Sequence, residues 1–190
     1  MFCVQRKDRG PTRWPCRLMR RLKRDCSGAS MVEFSLIAGL FLFLIFAVLD
    51  IALIYWANFE LENATNDAAR LIRTGQVQKD PPMGAATFKS QICAKTAILW
   101  DCSGKLQVNV EGFNTFADVA PVDPFDAAGE LKQSFAFQPG GGEDIVLVTT
   151  FYEWQPFGFF PGLALSNMSN GNLLLRAALT FRNEPFETEN

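Results

Sequence analysis

The chain has 190 residues, 48% of them hydrophobic, and a net charge of −2 from 18 Lys/Arg against 20 Asp/Glu, with no histidine at all. The missing histidine removes the commonest general base and the commonest transition-metal ligand together, which argues against an enzyme and against a metal or other cofactor. Once a basic leader and a long apolar segment are set aside, about 115 residues remain, enough for one small domain.

Residues 1–28 hold nine Lys/Arg and two acids (Asp8 and Asp25), a balance of +7, so residues 29–190 carry −9. Basic residues flanking a membrane segment stay on the cytoplasmic side, so the N-terminus is expected inside and the acidic body outside. The same run resembles a nucleic-acid patch. Topology and attraction to anionic lipid explain it better beside a membrane segment, and no nucleic-acid partner is expected.

Phe34 to Leu49 are sixteen consecutive uncharged residues, and the run Phe34–Trp56 carries one charge, Asp50. As a helix, such a run spans roughly 35 Å against about 30 Å of hydrocarbon. Tyr55 and Trp56 close it, where interfacial aromatics belong. A cleaved secretory signal fits poorly, because the run is too long and no A-x-A site ends it. Asp50 lies toward the outer side of the span, roughly 25 Å beyond Glu33. It either snorkels to headgroups or meets a polar partner in an assembled complex.

Helical patterning continues outside. Leu61, Ala64, Ala68 and Leu71 form a one-sided stripe, Arg70 and Arg73 suit a helix C-terminus, and Gly75 suits the position after it. One helix over 29–74 reaches about 69 Å, far more than the bilayer needs, so its stem packs on its own domain or on a neighbour. Residues 76–85 read as a linker. Ala86–Leu99 reads as a second helix with Thr87 as N-cap. Leu106–Val110 alternates as a strand, Glu111–Gly142 is loop-rich, Ile145–Trp154 is a strong strand, Asn170-Gly171 marks a turn, and Leu173–Arg182 reads as a third strand whose Leu/Ala content also suits a helix. The expected class is α+β: a long N-terminal transmembrane helix extending into a small external domain with one further helix and an antiparallel sheet. Its parts are a leader (1–28), the long helix (29–75, with the span at 34–56), the linker, and an external domain (86–190).

Cysteines divide by compartment. Cys3, Cys16 and Cys26 precede the span and stay reduced, while Cys93 and Cys102 follow it and face an oxidising space. The last two either bridge or remain free thiols. As the only external pair they are expected to bridge, adding about 2–3 kcal/mol. Gly140-Gly141-Gly142 lacks the GK[ST] of a phosphate loop, and Asp123 and Asp126 read as a solvated loop, not as a calcium or glycosidase pair. No small-molecule substrate is expected.

Glu33 admits two readings. Ser30-x-x-Glu33 before an apolar run is a capping box. Alternatively, if the chain is cut after Gly28, Ala29 becomes the N-terminus, and Glu33, fifth in the new chain, can neutralise the α-amino group of an adjacent subunit. The second reading follows type IV pilin logic, and here the chain resembles the TadE-like family of tight-adherence (Flp-type) pilus proteins. The resemblance is carried by GASMVEFSL at the junction, the apolar run, ATNDAARLIRTGQV, FKSQICAKTAILWDCSGKLQVNV and FRNEPF. It implies a minor pseudopilin of a Tad pilus or related secretion machine, cut by a prepilin peptidase between Gly28 and Ala29, with Glu33 as the recognised glutamate. The implied partners are the lipid bilayer, the peptidase and other pilus subunits. The implied location is the bacterial inner membrane, with the C-terminal domain periplasmic. The long cysteine-bearing leader departs from the family pattern. An uncleaved membrane-anchored partner of the same machine is the second reading, and a tethered periplasmic enzyme or binding protein the third.

Overall fold

A computed structural model describes residues 28–79, 82–156 and 165–186. The leader with Cys3, Cys16 and Cys26, and residues 80–81, 157–164 and 187–190, lie outside the described residues. Two units are described separately, residues up to 48 and residues 49–190.

In the first unit the chain enters helix α1 (Ala29–Arg73). The helix opens ahead of Ser30, because the N–H groups of Met31 and Val32 both donate to Gly28 O at 3.1 Å. Ser30 therefore sits inside the first turn, one residue past the helix start, and not at the N-cap position that the capping-box reading gives it. Most large apolar side chains from Met31 to Val48 face the outside: Phe34, Leu36, Ile37, Leu40, Phe41 and Leu44 are all exposed, and Phe43 is half-buried. The helix is long and apolar enough to cross a membrane.

The second unit is built on the remainder of α1. Ala57, Leu61, Ala64, Ala68 and Ile72 are buried, at the steps of three and four residues that place them on one face. They pack on a three-stranded antiparallel sheet of order β1 (Leu106–Phe113), β2 (Ile145–Trp154), β3 (Leu173–Arg182). The central strand is buried along nearly its whole length, which is why it reads as a continuous β-branched and aromatic run instead of an alternating one. The register runs Leu106↔Tyr152 and Phe113↔Ile145 on one side, and Ile145↔Arg182 and Trp154↔Leu173 on the other. Thr65 joins helix to sheet through a buried hydroxyl pair with Thr150 at 2.8 Å. Residues 114–139 cover the other face. There Leu131, Phe151 and Met168 form a second small core with Phe125 and Phe135 against it.

Helix α1 ends as expected from Gly75, whose φ is +73°. Gly75 N donates to Ile72 O and Gln76 N to Leu71 O, the paired bonds of a Schellman motif. Helix α2 (Ala85–Cys93) starts from Gly84, not Thr87, and stops six residues short of Leu99. The reason is tertiary: the N–H groups of Ala97 and Ile98 donate to Glu60 Oε2, both at 3.1 Å, instead of to helix carbonyls. A short helix α3 (Cys102–Lys105) then leads into β1, which extends past the expected Val110 because Glu111, Gly112 and Phe113 pair with β2.

Candidate functional site: junction, apolar helix and domain base

Gly28 sits immediately before α1. Among the described residues a Cβ there would meet nothing within 4 Å, and its φ is not in the left-handed region. Neither crowding nor a left-handed backbone requires glycine at this position. Glu33 follows on the exposed first turns of α1, among the apolar side chains of Met31, Val32, Phe34 and Leu36.

Asp50 belongs to the second unit. It stands four residues before Ile54 and seven before Ala57, so it continues the domain-facing stripe by one turn. Its Oδ1 is shielded and has no hydrogen-bond partner among the described residues.

Cys93 and Cys102 are bonded, with Cα atoms 5.6 Å apart. The loop they close is pinned at three points. Glu60 holds Ala97 and Ile98, Leu99 is buried in the main core, and the Tyr152 hydroxyl donates to Trp100 O at 2.6 Å. Burial, with the negative charges of Asp101 and Glu153 adding to it, pushes the Tyr152 phenol up to about 12, so it keeps its proton and remains a donor. The Trp100 side chain stays 65% exposed. Beside it Lys105, Tyr152, Trp154, Gln155 and Pro156 line an open cleft of about 230 Å³. Sequence reading missed Glu60, an acid whose partners lie 37 and 38 residues away. The signal for Trp100, a large aromatic inside a short disulfide loop, was present.

Asp123 and Asp126 are turn formers. Asp123 Oδ1 accepts from Phe125 N, and Asp126 Oδ1 accepts from Ala128 N and Glu130 N. Among the described residues no three His, Cys, Asp or Glu side chains gather to hold a metal ion. The FRNEPF segment ties the end of the sheet to the end of α1. Glu184 N donates to Arg73 O at 2.9 Å, and Asn183 Nδ2 donates to Pro139 O and Gly141 O at 3.0 and 2.8 Å.

These features define an α+β protein with one candidate membrane helix near its N-terminus. Residues 28–70 match the family model described as TadE-like protein, so that segment is similar to the family whose resemblance the sequence carries. The match takes in the Gly28 junction, Glu33, the apolar run and the stripe up to Arg70. The two-cysteine segment and FRNEPF lie beyond it. Comparisons with curated proteins and with solved structures returned no match.

Proposed function

We propose that this chain is a minor pseudopilin of a Tad (Flp-type IV) pilus or related secretion machine, cut by a prepilin peptidase between Gly28 and Ala29. The observation that carries the proposal is the TadE-like match over residues 28–70, which joins Gly28, Glu33 and the apolar helix in one segment. Two features support it. Gly28 has no conformational reason to be glycine, so a requirement imposed by an enzyme that reads the junction accounts for it. Glu33 is a carboxylate at the edge of an apolar helix, where a charge costs about 1–3 kcal/mol unless paired. The amine released at Ala29 of an adjacent subunit is a partner of the right sign.

On this reading the protein sits in the inner membrane with its leader cytoplasmic and its domain periplasmic, and works with other pilus subunits as a structural component, not as an enzyme. The test has two parts. Intact mass from cells with the cognate peptidase is expected to lack residues 1–28, and Gly28→Arg is expected to retain them. Glu33→Gln is expected to insert and to be cut, yet to leave cells about as poorly piliated as a deletion. Retention of the leader on nearly all wild-type protein would instead favour the uncleaved anchored partner. Normal piliation with Glu33→Gln would end the charge-pairing role.

A further inference from the structure

The apolar run does not stop where the domain starts. Residues 49–56, the last eight of Phe34–Trp56, belong to the same compact unit as the sheet, and Leu53 and Ile54 pack against its main core. Three properties of the helix fix where the outer edge of the hydrocarbon falls. Twenty residues counted from Phe34, the length that spans about 30 Å, end at Leu53. Asp50 bears a charge that belongs near a headgroup region or against protein. Tyr55 and Trp56, both exposed, have the character of an interfacial belt. All three put the boundary between Asp50 and Trp56, the level at which the domain core begins.

The end of the domain at that level is also fixed. Glu60, one turn past Trp56, holds the disulfide loop, whereas Arg73 holds Glu184 beyond the end of β3. The Glu60 end therefore carries the start of β1, the end of β2 and the start of β3, with Trp100, Lys105 and Trp154 around the cleft. Trp100, 65% exposed, lies on a loop that the disulfide, Glu60 and Tyr152 hold in place. Phe59 is exposed nearby on the helix.

We propose that this end of the domain is a lipid-docking surface. Trp100 inserts at the headgroup–acyl boundary of the outer leaflet and, with Tyr55, Trp56 and Phe59, completes one aromatic belt drawn from two elements. The proposal rests on residues 34–56 being a membrane span. The charges near Trp100 are mixed, Lys105 against Asp101 and Glu153, so the aromatic ring drives insertion, and anionic lipid is not required.

The test uses the full chain reconstituted in phosphatidylcholine nanodiscs, with acyl-brominated lipid as a membrane quencher and iodide as an aqueous one. Wild type is compared with Trp100→Phe, a change at an exposed position that keeps the fold. The expected result is that the emission lost in Trp100→Phe is blue-shifted, quenched by brominated lipid about as strongly as that of an interfacial tryptophan, and protected from iodide. Adding phosphatidylglycerol or salt is expected to change none of this. Quenching of the Trp100 signal by iodide and not by brominated lipid, in protein that still resists carbonate extraction, overturns the docking and leaves the anchor standing. Release of the protein by carbonate overturns the anchor as well. Protection of Trp100 from both quenchers, with crosslinks from position 100 to a neighbouring subunit, assigns the surface to a protein partner and also overturns the proposal.

Discussion

Two stretches of α1 answer the same solvent in opposite ways. Phe34 to Val48 is the more apolar, yet Leu36 is 73% exposed and Phe34 71%. Ala57 to Ile72 mixes charges and amides with its apolar residues, yet Leu61 and Ile72 are fully buried. Apolar content therefore does not decide burial along this helix; the available partner does. The second stretch has a sheet to cover one narrow face and water for the rest, so its sequence is striped. The first shows no stripe, as a helix does when its surroundings are apolar on every side.

The sharpest way to break this contrast is truncation at matched leucines. Leu61→Ala is expected to cost the domain about 2–5 kcal/mol, through lost burial and the cavity left behind. Leu36→Ala is expected to leave domain stability unchanged. Denaturant midpoints in detergent, followed by tryptophan emission, check both, and equal losses would show that the first stretch has a partner inside the chain. Next in size is the disulfide: Cys93→Ser or Cys102→Ser is expected to cost about 2–3 kcal/mol in the same assay, without releasing the protein from membranes. Smaller again is Glu60→Ala, expected to cost about 1–3 kcal/mol because Ala97 and Ile98 lose their shared acceptor. Faster proteolysis within residues 94–101, with the rest of the domain intact, would localise that effect.

The smallest effect is one of pH. Tyr152 keeps its proton up to about 12 when folded, whereas a tyrosine in the unfolded chain loses it near its ordinary value of 10. The folded state therefore binds the proton more tightly. The stability this provides is fully present below pH 10 and is lost as pH rises through the folded value. Tyr152→Phe is expected to flatten the stability profile between pH 10 and 12 and to lower it by about 1 kcal/mol at neutral pH, where the hydrogen bond to Trp100 O is lost. An unchanged slope in that window would show that other groups govern it.

Local patterning made much of this legible. The ends of β2 and β3 follow from β-branched and aromatic runs bounded by breakers, and the end of α1 from Gly75. The Leu/Ala-rich β3 could be settled only by its pairing with β2. The second helix overran because Ala97 and Leu99 keep a helical spacing while a carboxylate on a distant element takes the N–H groups. Nothing near residues 94–101 encodes that competition. Likewise, residues 114–139 read as loop, and they are irregular, but Leu131, Phe125 and Phe135 make them the cover of a sheet face. At the candidate site, Gly28, Glu33 and Asp50 were legible because junctions and isolated charges stand out against an apolar run. The domain base was not, since Trp100, Lys105 and Trp154 come together only when three strands and a loop end at one level.

The two end fastenings of α1 to the rest of its domain, Glu60 to the disulfide loop and Arg73 to Glu184 just past β3, have a mechanical meaning. Between them the helix lies along the strands, joined midway by Thr65 and Thr150. A pull along the helix axis loads all three attachments at once, in shear. A pull across the axis at one end opens them one after another, as a zipper does. The domain is thus built to resist tension passing along the helix far better than tension across it.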